Sequence, residues 1–386
     1  MTTDLHLEVL EHTPLTAVVR RALGEDSVEL GSWNAAQIHG GIGAASGGVY
    51  RFTGTARTAG TDPQPARYCP WSLVLKVLRA PTAGTTYQAL AVEGWNREVL
   101  TYQSGVLADL PAGLAAPCCF GIGEGAGLVW LWLEDLADAV GPRWPIARFA
   151  LAARHLGRLN GAYLAARPLP DYLWLQRTLL RWRIRRSEAF WAAFDEVRET
   201  PWGRRCWPDD LAGRGWLLWQ RRADLLDLLD RLPQTLVHGD ADRRNLFARQ
   251  GPAGDETVAI DWAFTGIAAV GEELVNLVVA SALWFQTPAE TLPELADQCL
   301  DGYLAGLADA GWRGDPQWAR AGFIVAAALR YGPLIAGPIA QWGAAGLEPA
   351  VRVMGQSAEA WLACWAAVRR FTFDQFDAAR ALVESL

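Results

Sequence analysis

From about Ile146 to the C-terminal Leu386 the sequence is patterned as amphipathic helices, and one stretch breaks that pattern. Segments such as RFALAARHLGRLNGAYLAA and LQRTLLRWRIRRSEAFWAAF carry apolar residues at three-to-four spacing. Between them and the later helices lies LPQTLVHGDADRRNLFARQGPAGDETVAIDWAF, which is β-rich and glycine-punctuated. A hairpin embedded in helices excludes a plain helical bundle. It also gathers His238, Gly239, Asp240, Asn245 and Asp261 onto two short strands and their turn.

The N-terminal third reads differently. QIHGGIGAASGGVYRFTG, with Gly40, Gly41, Gly43, Gly47 and Gly48 ahead of alternating Val49, Tyr50, Arg51 and Phe52, suits a glycine-rich hairpin. TGTARTAGTDPQPARYCP follows as a loop, then WSLVLKVLR as a strand with Leu73, Leu75 and Val77 on one face and Val74, Lys76 and Leu78 on the other. From about Ala89 to Leu107 the spacing predicts a helix holding Glu93 and Glu98. GLVWLWLEDL then gives a short apolar strand ending at Glu134 and Asp135, and composition shifts near residue 138. At 386 residues the chain is too long for one core of usual size, and two lobes fit the pattern.

Of the 35 lysines and arginines one is lysine, Lys76, so 34 are arginine. Arginine does the general surface work in such a chain. A lysine kept in mid-strand calls for a compact ammonium making a point contact, which a guanidinium cannot always replace.

Phosphoryl transfer to a hydroxyl needs few covalent steps from protein and is won by positioning and charge neutralisation. A carboxylate must orient the incoming hydroxyl and accept its proton, hard oxygens must hold Mg²⁺, and a cation must restrain the phosphates. The pattern His-Gly-Asp-x-x-x-x-Asn at His238 to Asn245, followed by Ile260-Asp261-Trp262, resembles the catalytic loop and metal-binding motif of the aminoglycoside phosphotransferase and choline kinase-like family. These are small-molecule relatives of protein kinases. The resemblance runs from about residue 35 to 280 and implies an α+β, bilobal protein kinase-like fold, with a small β-rich N-lobe over 1–136 and a large, mainly helical C-lobe over 137–386.

By the same resemblance Asp240 is the catalytic base, and Asn245 and Asp261 hold Mg²⁺. Lys76 contacts the α and β phosphates of ATP, with Glu98 as its ion-pair partner and Glu93 as second choice. The glycine-rich hairpin over Gly43 to Val49, including Gly43, Ser46 and Gly47, covers the phosphates, and Glu134 to Leu136, with Glu134 and Leu136 as contacts, is the hinge that meets adenine. The implied activity is ATP-dependent phosphorylation of a hydroxyl on a small molecule, of aminoglycoside, sugar or amino alcohol type.

Two places depart from the family pattern. After the metal aspartate the chain reads VGEELVNLV, with Glu272 and Asn276 where the family has a Gly-Asp-Pro and an Asp-Leu pair. Within the loop, Asp242, Arg243 and Arg244 replace a His-Pro-Gly-like stretch, so an arginine there either neutralises the transferred group or pairs with Asp242.

Other features have plainer readings. The 20 tryptophans are packing residues, Trp262 among them. Arg177, Arg181 and Arg185 make a solvated helix face beside Glu188, Asp195 and Glu196. His155 and His238 are structural. Cys69, Cys118, Cys119, Cys206, Cys299 and Cys364 lack CxxC spacing and read as reduced thiols in a core. A net charge of -7 gives no reason to expect nucleic acid, and no run is long and apolar enough for a membrane span. The opening MTTDLHLEVLEH is acidic where a signal peptide is basic, which points to the cytoplasm. The oligomeric state is left open. A kinase-like protein that binds nucleotide without transferring phosphate is the alternative, although the lysine, base and metal positions are all filled. A protein kinase is disfavoured by the lack of HRD, DFG and APE segments.

Overall fold

The alternation read in WSLVLKVLR decides the first sheet. In the computed structural model, which describes residues 9, 14–39, 46–58, 67–80, 94–125, 127–252, 254–332 and 355–385, this segment lies in β3 (Tyr68–Arg79). Helix α1 (Leu15–Leu23) and strands β1 (Val28–His39) and β2 (Ser46–Thr58) precede it. Helix α2 (Arg97–Gln103) and strands β4 (Leu114–Ala115), β5 (Cys119–Gly125) and β6 (Leu128–Glu134) follow. The five-stranded antiparallel sheet runs β1-β2-β3-β6-β5. Leu73, Leu75 and Val77 are fully buried on the face that packs on α1 residues Val18 and Val19 together with Phe52, Trp130 and Trp132. The opposite face joins Val74 and Leu78 to Val99 of α2 and Leu131. Lys76 is on that second face.

Two expectations change at their edges. The stretch read as a loop, 53–70, is partly strand, because β2 and β3 pair as far out as Arg57 with Tyr68. The helix expected over 89–107 is Arg97–Gln103 among the described residues; Gly105 takes φ +80, a left-handed conformation that ends it, and a 3₁₀ turn follows at Val106–Asp109. Residues 81–93, and so Glu93, lie outside the described residues, as does Gly43.

The chain divides into two compact units. The first comprises Met1–Leu110, Ala115–Ala137 and a later return, Val258–Ala263; the second comprises Pro111–Leu114, Asp138–Thr257 and Phe264–Leu386.

The second unit is built on helix α3 (Ile146–Ala165), then α4 (Leu179–Arg186), short helical pieces over 188–206, α5 (Asp209–Gln220) and α6 (Arg222–Arg231). The interruption seen in sequence is β7 (Gln234–Val237), β8 (Leu246–Gly251), β9 (Gly254–Ala259) and β10 (Gly266–Ala269), in the sheets β10-β7 and β4-β9-β8. A π-helical turn, Asn276–Ala280, leads to α7 (Leu292–Asp309), α8 (Pro316–Tyr331) and α9 (Ala358–Ala378).

Helices α3 and α7 pack closely enough that a Cβ on Gly157 would sit 2.3 Å from the Tyr303 carbonyl oxygen. That approach puts the Tyr303 hydroxyl within 2.6 Å of Asn160 Oδ1, while Asn160 Nδ2 donates to the Leu236 carbonyl at 2.7 Å. Both side chains are fully buried, so the strut fixes the end of β7 from below.

Candidate active site

In the first unit the lone lysine has two carboxylate partners. Lys76 pairs in register with Val49 of β2 and Leu131 of β6, which sets its side chain on the face toward α2. Its Nζ lies 2.5 Å from Glu98 Oε2 and 2.7 Å from Asp261 Oδ1. The Glu98 side chain is 1% exposed and that of Lys76 18%, whereas the Asp261 side chain is 38% exposed. Burial alone would lower the lysine's proton affinity, but the Asp261 and Glu98 carboxylates outweigh it and hold the ammonium above its ordinary range. The group is charged at any physiological pH.

Asp261 follows β9 with φ +61, a left-handed conformation that Asp tolerates better than most side chains. The neighbouring residues hold it there. Trp262 is fully buried with its Nε1 donating to the Ala259 carbonyl at 2.8 Å, and Arg97 Nη1 donates to the Ala263 carbonyl at 2.8 Å.

The expected hinge residues lie at the end of β6. Glu134 exchanges contacts with Cys118, its own amide donating to the Cys118 carbonyl at 2.9 Å and its Oε2 accepting from the Cys118 amide at 3.1 Å. Asp135 accepts from Arg51 at 2.8 and 3.0 Å and from the Ser72 hydroxyl. Leu136 is half-buried beyond it. Ser46 opens β2 opposite Leu78, and the Gly47 carbonyl accepts from the Tyr50 hydroxyl at 3.2 Å.

In the second unit the loop after β7 turns at Gly239, whose φ of +81 and the 2.4 Å that a Cβ would keep from the Phe264 carbonyl oxygen both require glycine. Glu273 accepts from the amide of His238 at 2.6 Å and of Gly239 at 3.1 Å. The buried His238 ring accepts from the Asp240 amide through Nδ1 at 3.2 Å. Asp242 caps the following turn by accepting from the Arg244 amide at 2.8 Å.

Asp240 is thereby held at the loop's centre. Asn245 Nδ2 donates to its carbonyl at 2.9 Å and to Oδ2 at 3.1 Å. Asn276 Nδ2 donates to Oδ1 at 2.9 Å and to the Gly239 carbonyl at 3.0 Å, with its own Oδ1 accepting from the Tyr331 hydroxyl at 2.8 Å. Arg330 Nη2 lies 3.7 Å from Asp240 Oδ1. A cavity opens beside this loop, lined among others by Gln176, Leu226, Leu229, Glu272, Asn276 and Arg330.

Of the residues singled out in sequence, Lys76, Glu98 and Asp261 come together in the first unit, and Asp240 and Asn245 come together in the second. Glu273, Arg330 and Tyr331 were not anticipated. Glu273 is the neighbour of Glu272 in VGEEL, and only the direction of the turn that holds them tells which carboxylate meets the loop. Arg330 and Tyr331 come from a helix with no local motif.

The two readings of the loop arginines separate as well. Arg244 binds Asp242 at 2.6 Å and stacks over Trp284 at 4.0 Å. Arg243 is buried over Trp144 at 4.1 Å and pairs with Asp138 at 2.9 Å. The stripe expected on α4 is shorter, because Arg177 precedes the helix, and Arg181 is bound to Asp227 and Asp230. The thiols are free, but only Cys206, Cys299 and Cys364 are buried, and Cys118 is exposed.

The donors fit a hard cation. Each of the two expected metal residues carries a hard oxygen donor: Asn245 commits its amide nitrogen to Asp240, so its amide oxygen is the atom that would meet a cation, and the Asp261 side chain is 38% exposed. Among the described residues no group of three or more His, Cys, Asp or Glu side chains could hold a metal by itself. Among the described residues no helix is long and apolar enough to cross a membrane.

A family profile described as "Phosphotransferase enzyme family" matches residues 77–320, well over half of the chain. The protein belongs to that family and is a phosphotransferase. Its mixed α+β fold is that of the protein kinase-like small-molecule kinases. The choline kinase of Cryptosporidium parvum Iowa II superposes with a TM-score of 0.52 at 10% identity, over 98% of this chain and 97% of that one. A microcompartment-associated aminopropanol kinase is similar with a TM-score of 0.49 at 13% identity, over 94% of this chain and 97% of the other. An amicoumacin kinase in complex with AMP-PNP, Ca²⁺ and Ami gives 0.47 at 18% identity, over 96% of both chains. No curated protein matches the chain.

Proposed function

We propose that the protein transfers the γ-phosphoryl group of ATP to a hydroxyl of a small molecule, with residues 1–136 as the nucleotide-binding lobe and 137–386 as the lobe carrying the catalytic loop and acceptor site. The observation that carries this reading is the triad of Lys76, Glu98 and Asp261: the chain's single lysine is a fully charged ammonium held between two carboxylates. Lys76 contacts the α and β phosphates, Glu98 fixes its direction, and the start of β2 at Ser46 and Gly47 covers them. Adenine meets the backbone at Glu134 to Leu136.

Asp240 orients the acceptor hydroxyl and takes its proton as the oxygen attacks the γ-phosphorus and the bond to ADP breaks. Asn245 and Asp261 hold Mg²⁺, which when bound draws charge from the phosphate oxygens. The acceptor occupies the cavity beside Asn276 and Arg330. Its class is one of aminoglycosides, sugars, amino alcohols, and nucleoside or macrolide-like antibiotics, and ADP release over a panel of those four identifies it.

The test is Asp240→Ala. Turnover is expected to fall by orders of magnitude while nucleotide binding, read by calorimetry, persists. Wild-type turnover in that variant would refute the assignment, and nucleotide binding without any ADP release in the unaltered protein would favour an idle kinase-like binder.

A further inference from the structure

A carboxylate that must present one lone pair to a hydroxyl gains from being unable to rotate. The terminal torsion of an aspartate is broad, with no sharp preferred angle of its own. At Asp240 the constraint comes from three separate places in the second unit: Asn245 on the loop itself binds Oδ2, Asn276 on the π-helical turn binds Oδ1, and Arg330 on α8 faces Oδ1.

Arg330 stands apart from the other two. It is 6% exposed, and burying a guanidinium so deeply is costly unless opposite charge or hydrogen bonds compensate it. Burial opposes its charged form, and Tyr331, Asp240 and Glu272 favour it, with Asp240 Oδ1 at 3.7 Å. Its neighbour Tyr331 orients Asn276, so two consecutive residues of α8 reach Asp240, one directly and one through an amide. The 3.7 Å separation is an ion-pair distance beyond that of a well-formed hydrogen bond. Attraction at that range acts on the carboxylate through charge rather than through a hydrogen bond of its own.

We infer that Arg330 is a positioning residue for Asp240, and that the C-terminal end of α8 sets the orientation of the carboxylate during transfer. The inference rests on the role proposed above for Asp240. Orientation matters more than basicity here, because phosphoryl transfer asks the protein mainly for placement.

The experiment compares Arg330→Met, Arg330→Lys, Asp240→Asn and the double variant Arg330→Met/Asp240→Asn. The readouts are ADP release from MgATP, with water and with the strongest acceptor of the panel, and ATP affinity by calorimetry. Arg330→Met is expected to lower kcat by about 10- to 100-fold with ATP affinity within about twofold, since a misplaced reactive group costs on that order. Arg330→Lys should recover part of the loss, and Arg330→Met should add nothing once Asp240→Asn is present, as for groups acting through one another. If Arg330→Met does not fold, Arg330→Lys carries the comparison, with an intermediate kcat expected alone and no further loss beside Asp240→Asn. A folded Arg330→Met with wild-type kcat, or an equal loss in the Asp240→Asn background, overturns the inference alone. Full turnover in Asp240→Asn would overturn the role of Asp240 itself.

Discussion

Glu273 receives two successive backbone amides of the loop after β7, His238 at 2.6 Å and Gly239 at 3.1 Å, on its two carboxylate oxygens. Burial pushes this carboxyl up, while His238 and the two amides act in the opposite sense. Replacing it by glutamine turns one acceptor into a donor that faces an N–H. Glu273→Gln is expected to cost about 1–3 kcal/mol, the penalty of a buried group left without its partner. Denaturant unfolding reads this directly, and an unchanged midpoint would mean that the loop amides find other acceptors.

Gly239→Ala meets two penalties at once, a positive φ and a Cβ placed 2.4 Å from the Phe264 carbonyl oxygen. The strain is on the order of 1–3 kcal/mol before any relaxation. Thermal unfolding should show the loss, and turnover should fall with it because Asp240 is the next residue. A variant as stable and as active as the parent would contradict the geometry.

Lys76→Arg tests whether the ammonium is irreplaceable. The longer planar guanidinium has to fit between Glu98 and Asp261, where Nζ now sits 2.5 and 2.7 Å from them. At least about a tenfold loss of kcat/KM for ATP is expected, the equivalent of one charge-assisted contact of roughly 1.5 kcal/mol or more. Lys76→Ala should lose more, since it leaves Glu98 buried without a counter-charge. Unchanged ATP affinity and turnover in both variants would remove Lys76 from the phosphate site.

Asn245→Ala removes the expected amide ligand together with two bonds to Asp240. A rise in the Mg²⁺ concentration needed for half-maximal ADP release is expected, and chelation by EDTA should abolish release in the parent. Activity that persists in EDTA would exclude a divalent-cation requirement.

His155 supplies a pH signature. Burial first, then Arg148, Arg158 and Arg154, lower its pKa from 6.5 to about 4. Between those values the unfolded chain binds a proton that the fold does not, so stability rises with pH through this window and is lost as pH falls from 6.5 toward 4. The full effect is roughly 3 kcal/mol. Unfolding followed at pH 7 and pH 4.5 should show a smaller acid loss in His155→Gln than in the parent; equal losses would assign the acid sensitivity to other groups.

What was legible in sequence was local and periodic. Alternation along β3 put Lys76 opposite Leu73, Leu75 and Val77 because a strand has a period of two, and a five-residue step from Asp240 to Asn245 fits one tight loop. What was not legible depends on distant packing. Arg330 reaches Asp240 from a helix ninety positions away in the chain, and no spacing rule connects them. The choice between Glu272 and Glu273 turned on the direction in which one short turn faces.

The return of Val258–Ala263 to the first unit has a practical corollary for dissecting this protein. A fragment cut after Ala137 would keep Lys76 and Glu98 yet lack Asp261, Trp262 and the carbonyl that Arg97 binds. Its ammonium would be left with a single counter-charge and its helix α2 with one anchor fewer. A cut at that boundary therefore does not yield a faithful first unit; an excised unit needs the 258–263 segment grafted back or supplied as a peptide.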